Sequence, residues 1–127
     1  MMFDDCKNSK TKGSIGETRA IYEYTKKGYI VSKPLVDCVY DLILDDGNSL
    51  KKVQCKTTSQ KRRNTYSCNL RVMGGNKSGN VVKKRQDGDY DVLFVLADSG
   101  ECWSIPVTHF TAKNCLNLDF RFDNFKL

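Results

Sequence analysis

No segment of this chain is long and apolar enough to cross a bilayer. The longest unbroken hydrophobic run, Val92 to Ala97, is six residues, against about 20 for a membrane helix. The start, Met-Met-Phe-Asp-Asp-Cys-Lys, has neither the basic lead nor the apolar stretch of a secretory signal. These absences predict a soluble, intracellular protein with no membrane partner. Low-complexity tracts and internal repeats are also missing. Histidine occurs once, as His109, and lacks a local partner, which fits a surface or helix-start residue better than a catalytic base. The six cysteines, Cys6, Cys38, Cys55, Cys68, Cys102 and Cys115, include no CxxC or CxxxxC pair, so no local zinc site is expected. An intracellular chain keeps its thiols reduced. Cys38, Cys55 and Cys68 alternate with polar residues and should pack as small hydrophobes.

The most telling absence is of acid. Between Asn48 and Gln86 there is none, while eleven basic residues occur: Lys51, Lys52, Lys56, Lys61, Arg62, Arg63, Arg71, Lys77, Lys83, Lys84 and Arg85. A short basic run is ordinarily a solvated face. One this long, interrupted by apolar strand positions in a chain of net charge +6, favours a polyanion-binding surface. Duplex nucleic acid, with a phosphate charge every ~1.7 Å of its axis, is the obvious polyanion.

What is present suits one domain, residues 1–127, with one core. Residues 1–12 are polar and expected to fray. Ser14-Ile15-Gly16-Glu17 has capping-box spacing, which predicts a helix from about Ile15 to Lys27, stopped by Gly28. Strands are expected at Tyr29–Ser32 and Cys38–Leu44, followed by a turn at Asp45–Asn48 and an antiparallel partner at Leu50–Thr58. A basic loop, Gln60–Asn64, leads to an alternating strand from Thr65 to Met73. The stretch Gly74–Gly79 lacks P-loop spacing and is expected to be a mobile loop. Tyr90–Ala97 is a buried strand, and Cys102–Ile105 a strand ended by Pro106. A short helix near Thr108–Asn114 and a last strand through Leu118, Phe120 and Phe122 complete an α+β fold with a mainly antiparallel sheet.

Chemistry concentrates on four residues. Glu17 shares the inward stripe of the predicted helix with Ala20, Ile21 and Tyr24. Gln54 and Lys56 share one face of a strand, and an even-numbered hairpin loop turns Asp41 onto that face. Glu17, Asp41 and Gln54 offer oxygen ligands suited to Mg²⁺, with Mn²⁺ as substitute. The Lys56 ammonium can orient an attacking water or offset charge on a phosphate. Each has an ordinary explanation too: Glu17 as partner of Ser14 in the capping box, Asp41 as a strand-end residue, Gln54 and Lys56 as half-exposed strand positions. Their order and spacing together favour the site.

Gly13-Ser14-Ile15-Gly16-Glu17, Gly28-Tyr29-Ile30-Val31, Pro34, Tyr40-Asp41-Leu42 and Val53-Gln54-Cys55-Lys56-Thr57 resemble the PD-(D/E)XK nuclease superfamily. Within it, the chain is most similar to the cyanobacterial-type homing endonucleases of group I introns. Asp89-Tyr90-Asp91-Val92 through Ile105-Pro106 matches a later part of that signature. Two positions depart from the superfamily pattern: Tyr40 replaces the proline before the strand acid, and Gln54 replaces the second acid. The intron-associated branch resembles this chain in using glutamine. The resemblance implies a restriction-endonuclease-like core with Glu17, Asp41, Gln54 and Lys56 as active site; Asp37, which shares Asp41's strand parity, is a weaker candidate. It also implies a Mg²⁺-dependent endonuclease acting on double-stranded DNA at a specific site, and a homo-oligomer, dimer or tetramer. Leu118, Phe120 and Phe122 are a possible interface, although core packing is their ordinary role. Arg62, Arg63, Lys83, Lys84 and Arg85 are expected on phosphates, with Lys61 and Lys77 beside them, and Ser67, Asn69 and Arg71 against base edges. The rivals are a Holliday-junction-resolving or repair nuclease of the same fold, and a non-catalytic nucleic-acid-binding module.

Overall fold

The computed structural model describes residues 1–76 and 79–127, with side chains given outside 72–82. Helix α1 runs from Ser9 to Lys26, six residues longer at its start than the capping-box spacing predicts. Asn8 takes the N-cap: its Oδ1 accepts from the Thr11 amide at 2.8 Å and the Thr11 hydroxyl at 3.1 Å. Ser14 lies inside the helix and donates to the Lys10 carbonyl at 3.1 Å. An earlier cap therefore outcompetes the later one, and Glu17 has no capping duty. Nor does the N-terminus fray. The Met2 amide donates to the Asp98 carbonyl at 2.7 Å, the Phe3 amide to Asp98 Oδ1 at 3.0 Å, and both side chains pack on the core.

The main sheet has the order β1-β2-β3-β8-β9, built from Ile30–Ser32 (β1), Leu42–Asp45 (β2), Leu50–Thr58 (β3), Val92–Ala97 (β8) and Cys102–Pro106 (β9). Only the β3·β8 pair is parallel; the others are antiparallel. A parallel pair needs a long crossover, and residues 59–91 supply it. They carry β4 (Lys61–Arg62), β5 (Thr65–Asn69), β6 (Val72–Asn76) and β7 (Gly79–Lys83). β5 pairs with β4 and with β10 (Cys115–Asn117). The fold is α+β with a mixed, mostly antiparallel sheet.

β8 is buried on both faces, which explains its unbroken apolar sequence. Val92, Phe94 and Leu96 pack toward α1 with Ala20, Tyr24, Leu42, Leu44 and Val53. Leu93, Val95 and Ala97 pack on the opposite side with Trp103, Ile105, Cys68 and Leu70. The Tyr24 and Ser104 hydroxyls, 2.7 Å apart, tie the helix to β9.

Four local expectations are corrected. The alternation from Thr65 to Met73 is two strands, β5 and β6, because the Arg71 amide turns to Asn69 Oδ1 at 2.9 Å. Gly74–Asn76 and Gly79 lie in the paired strands β6 and β7 and not in a loop. The helix near Thr108–Asn114 is a single 3-10 turn, Val107–His109, after which Phe110 returns to extended backbone. The last strand ends at Asn117, and Phe120–Phe125 form a 3-10 helix capped by Asp119, which accepts from the Arg121 amide at 3.0 Å. Leu118 and Phe122 are buried in the core, whereas Phe120 is exposed.

Candidate active site

The site is built where α1 crosses β3. Gly16 makes that crossing possible: a Cβ placed there would lie 2.5 Å from Thr57 Cγ2. The glycine lets the helix approach the strand so closely that Glu17, the next residue, reaches the end of the sheet. A β-branched threonine near the end of β3 still has little rotamer freedom to yield. Gly16→Ala is therefore expected to lower unfolding stability by about 1–3 kcal/mol, in spite of alanine's better helix propensity. Thr57→Ser, which removes the obstructing methyl, should recover most of the loss. Denaturant unfolding of both single variants and the double variant checks this.

β2 and β3 place the other candidates. Leu42 pairs with Val53, and the Asp41 amide donates to the Val53 carbonyl at 2.8 Å, so Asp41 stands next to Gln54 across the hairpin. Asp41 Oδ2 accepts from the Cys55 amide at 2.8 Å. Burial pushes the Asp41 carboxyl above its ordinary value, against that hydrogen bond, and the charge of Glu17 adds to the rise while Lys56 and Lys33 oppose it. Burial likewise holds the Lys56 ammonium below its usual value. Lys56 Nζ donates to the Arg71 carbonyl at 2.5 Å. Gln54 Nε2 donates to the Cys55 carbonyl at 3.3 Å. The structure thus brings Glu17, Asp41 and Lys56 into one electrostatic neighbourhood, with Gln54 beside them.

A cleft of about 160 Å³ opens over the two acids, lined by Glu17, Lys33, Asp37, Tyr40 and Asp41 among others. Glu17 Oε1 is fully buried there with no hydrogen bond in good geometry, and meets the Lys33 ammonium only as an ion pair. A buried carboxylate oxygen balanced by Lys33, a second, half-buried carboxylate and a neighbouring amide make a hard-oxygen donor set that fits Mg²⁺ or Mn²⁺. Cys55 offers no competing thiolate, since burial and then the Asp41 and Glu17 charges hold its thiol well above the ordinary value. Among the described residues, no three His, Cys, Asp or Glu side chains gather as a metal group, so any site here relies on the amide or on substrate to complete it. A larger cleft of about 420 Å³ involves His109, Cys115, Arg121 and Phe125. It holds no carboxylate, and Arg121 is committed to Asp119 at 2.9 Å.

The basic residues divide. Lys61, Arg62 and Arg63 are exposed on the β4–β5 hairpin, where Arg63 and Asn64 adopt φ of 50° and 65° in its two-residue turn. Lys83, Lys84, Asn69 and Arg71 are exposed as well. Lys77 lies outside the described residues. Two expectations fail on burial. Ser67 is buried: its amide donates to the Gln60 carbonyl at 2.9 Å and its hydroxyl faces Cys115 Sγ at 2.8 Å. Arg85 is also buried, its guanidinium donating to the Ala112 carbonyl at 3.2 and 3.1 Å and lying 4.7 Å from the Phe110 ring centre. Neither is available to DNA. Sequence reasoning missed Lys33, the cation on Glu17; its only signal was its place just after a strand and before Pro34.

A profile of the PD-(D/E)XK endonucleases matches residues 7–124. The chain belongs to that family. Its sequence is 34% identical over 87 residues to "Protein 5.3" of Escherichia phage T7, covering 68% of this chain and 70% of that protein. The fold is similar to that of the bacterial homing endonuclease I-Ssp6803I, with a TM-score of 0.76, 25% identity, and 94% of this chain and 88% of that one covered. No helix among the described residues is long and apolar enough to span a membrane.

Proposed function

We propose that this endonuclease hydrolyses phosphodiesters in double-stranded DNA at a specific site, as a homo-oligomer, and requires Mg²⁺, for which Mn²⁺ substitutes. The observation that carries this reading is the meeting of two half-buried acids, Glu17 and Asp41, over one cleft, with the Lys56 charge acting on Asp41 and Gln54 next to it across the hairpin, in a chain with an acid-free basic stretch. Glu17, Asp41 and Gln54 would hold the ion, which supplies Lewis acidity at the phosphate when bound. Lys56 orients the attacking water and offsets the charge that grows on the phosphate oxygens. Its anchor on the Arg71 carbonyl keeps the ammonium from collapsing onto Asp41. A single small chain cuts one strand, so a double-strand break at a long site calls for at least two copies. The likeness to a homing endonuclease favours site specificity over reading of DNA shape.

Supercoiled plasmid carrying candidate sites, together with branched and linear duplexes, tests this directly. Nicking and linearisation are expected with Mg²⁺ or Mn²⁺ and not in excess EDTA; full cleavage in EDTA would refute the metal requirement. Preference for four-way junctions over linear duplex would favour a resolving enzyme.

The exposed basic residues should fall into two classes. Lys84→Ala is expected to weaken binding to all sequences alike and to flatten the salt dependence by about one phosphate contact. Arg71→Ala should instead relax preference at one or two base positions, losing about 1–3 kcal/mol of discrimination. Salt-titrated binding to matched and mismatched duplexes separates the two, and a uniform loss from Arg71→Ala would remove it as a base reader.

A further inference from the structure

We propose that Lys33 is a built-in counterion, seated on a metal-binding carboxylate while the metal is away and released toward the DNA phosphate when a divalent cation enters; this rests on the metal site proposed above. Glu17 and Lys33 form an ion pair in which the carboxylate is mostly sequestered, with 25% of its side chain exposed, while the lysine remains 59% exposed. Glu17 Oε1, fully buried, has no hydrogen bond in good geometry, so this cation is what balances it. The Lys33 charge also reaches Asp41. The charges of Glu17 and Asp41 are thus offset by two ammonium groups, Lys33 and Lys56, while a third acid, Asp37, lines the same cleft.

The two lysines are held differently. Lys56 is half-buried on β3 and donates to the Arg71 carbonyl at 2.5 Å. Lys33 lies on the loop after β1, at the rim of the cleft over both acids. A divalent ion on the carboxylates adds two positive charges beside Lys33, and like charges at such range repel. The lysine stem is long and flexible and its head is largely in water, so leaving Glu17 requires no change in the fold. Once displaced, the ammonium stands at the mouth of the cleft, where a phosphate must enter. The contrary role, a strut that only orients Glu17 for the metal, predicts the opposite sign: removing the lysine would then weaken metal binding.

Calorimetric titration of Mn²⁺ into the full chain without DNA decides between them, using wild type, Lys33→Ala, Lys33→Arg and Asp41→Asn. Lys33→Ala should bind Mn²⁺ about two- to fivefold more tightly, the size expected for a partly exposed ion pair. Lys33→Arg, which keeps the charge, should match wild type. With Ca²⁺ in place of Mn²⁺, the cation-induced gain in duplex affinity should be smaller in Lys33→Ala than in wild type. Unchanged or weaker Mn²⁺ binding by Lys33→Ala, with wild-type binding that depends on Asp41, overturns the counterion role alone. Absence of Mn²⁺ binding by wild type, or binding that Asp41→Asn leaves intact, overturns the metal site and the counterion role together.

Discussion

Lys56→Ala is expected to slow DNA cleavage by about 10²–10³-fold, the size seen when one preorganised group facing a developing oxyanion is removed. The duplex affinity should change little, because one phosphate contact among many is a small share of an electrostatic binding energy. The environment of Lys56 is what makes its effect large. Burial lowers its pKa, so the ammonium is already stripped of much of its water and its charge acts at low dielectric, where it is worth more than in solvent. Lys56→Met keeps the apolar stem that packs within the fold and serves as a control for stability. Single-turnover cleavage with saturating enzyme, read beside equilibrium binding, measures both quantities. Near wild-type cleavage by the alanine variant would exclude Lys56 from the chemistry.

Asp41→Asn is expected to abolish metal-dependent cleavage, by about 10³-fold or more since a hard cation loses a charged ligand, and yet to raise thermal stability in metal-free buffer at neutral pH. The sign follows from linkage. A carboxyl whose folded pKa lies above its unfolded value binds its proton more tightly in the native state. Stability therefore declines as pH rises from the unfolded to the folded pKa, and stays reduced above it. Asparagine carries no charge to bury, and its carbonyl oxygen can still accept from the Cys55 amide, the 2.8 Å bond that Asp41 makes. The wild-type melting temperature should climb toward low pH relative to the variant's, and Mg²⁺ should raise that of wild type while leaving the variant's unmoved. Scanning calorimetry across pH, with and without Mg²⁺, reads each point. A variant less stable than wild type at every pH would mean that Asp41 is held for structure and not at a cost.

These two residues also mark how far the sequence could be read. Gln54 and Lys56 sit on β3 and Asp41 immediately precedes β2, the two strands being joined by a short turn, and strand alternation with hairpin register is a local rule; the observed pairing of Leu42 with Val53 keeps to it, although the strand expected from Cys38 begins only at Leu42. β8 was legible for a similar reason, because a strand buried on both faces must be apolar throughout. So was the basic character of the crossover, a matter of composition. By itself the sequence determined the succession of the main strands along the chain, their faces and the charge of the surface beside them, but not the parallel pairing of β3 with β8. The tertiary structure alone decided which of two plausible caps starts α1, that Gly16 touches Thr57, that Arg85 turns inward onto Ala112 and Phe110, and that Lys33 sits on Glu17. Each of those depends on a partner brought close by folding, often from far along the chain, and local pattern carries no information about which of several compatible partners arrives.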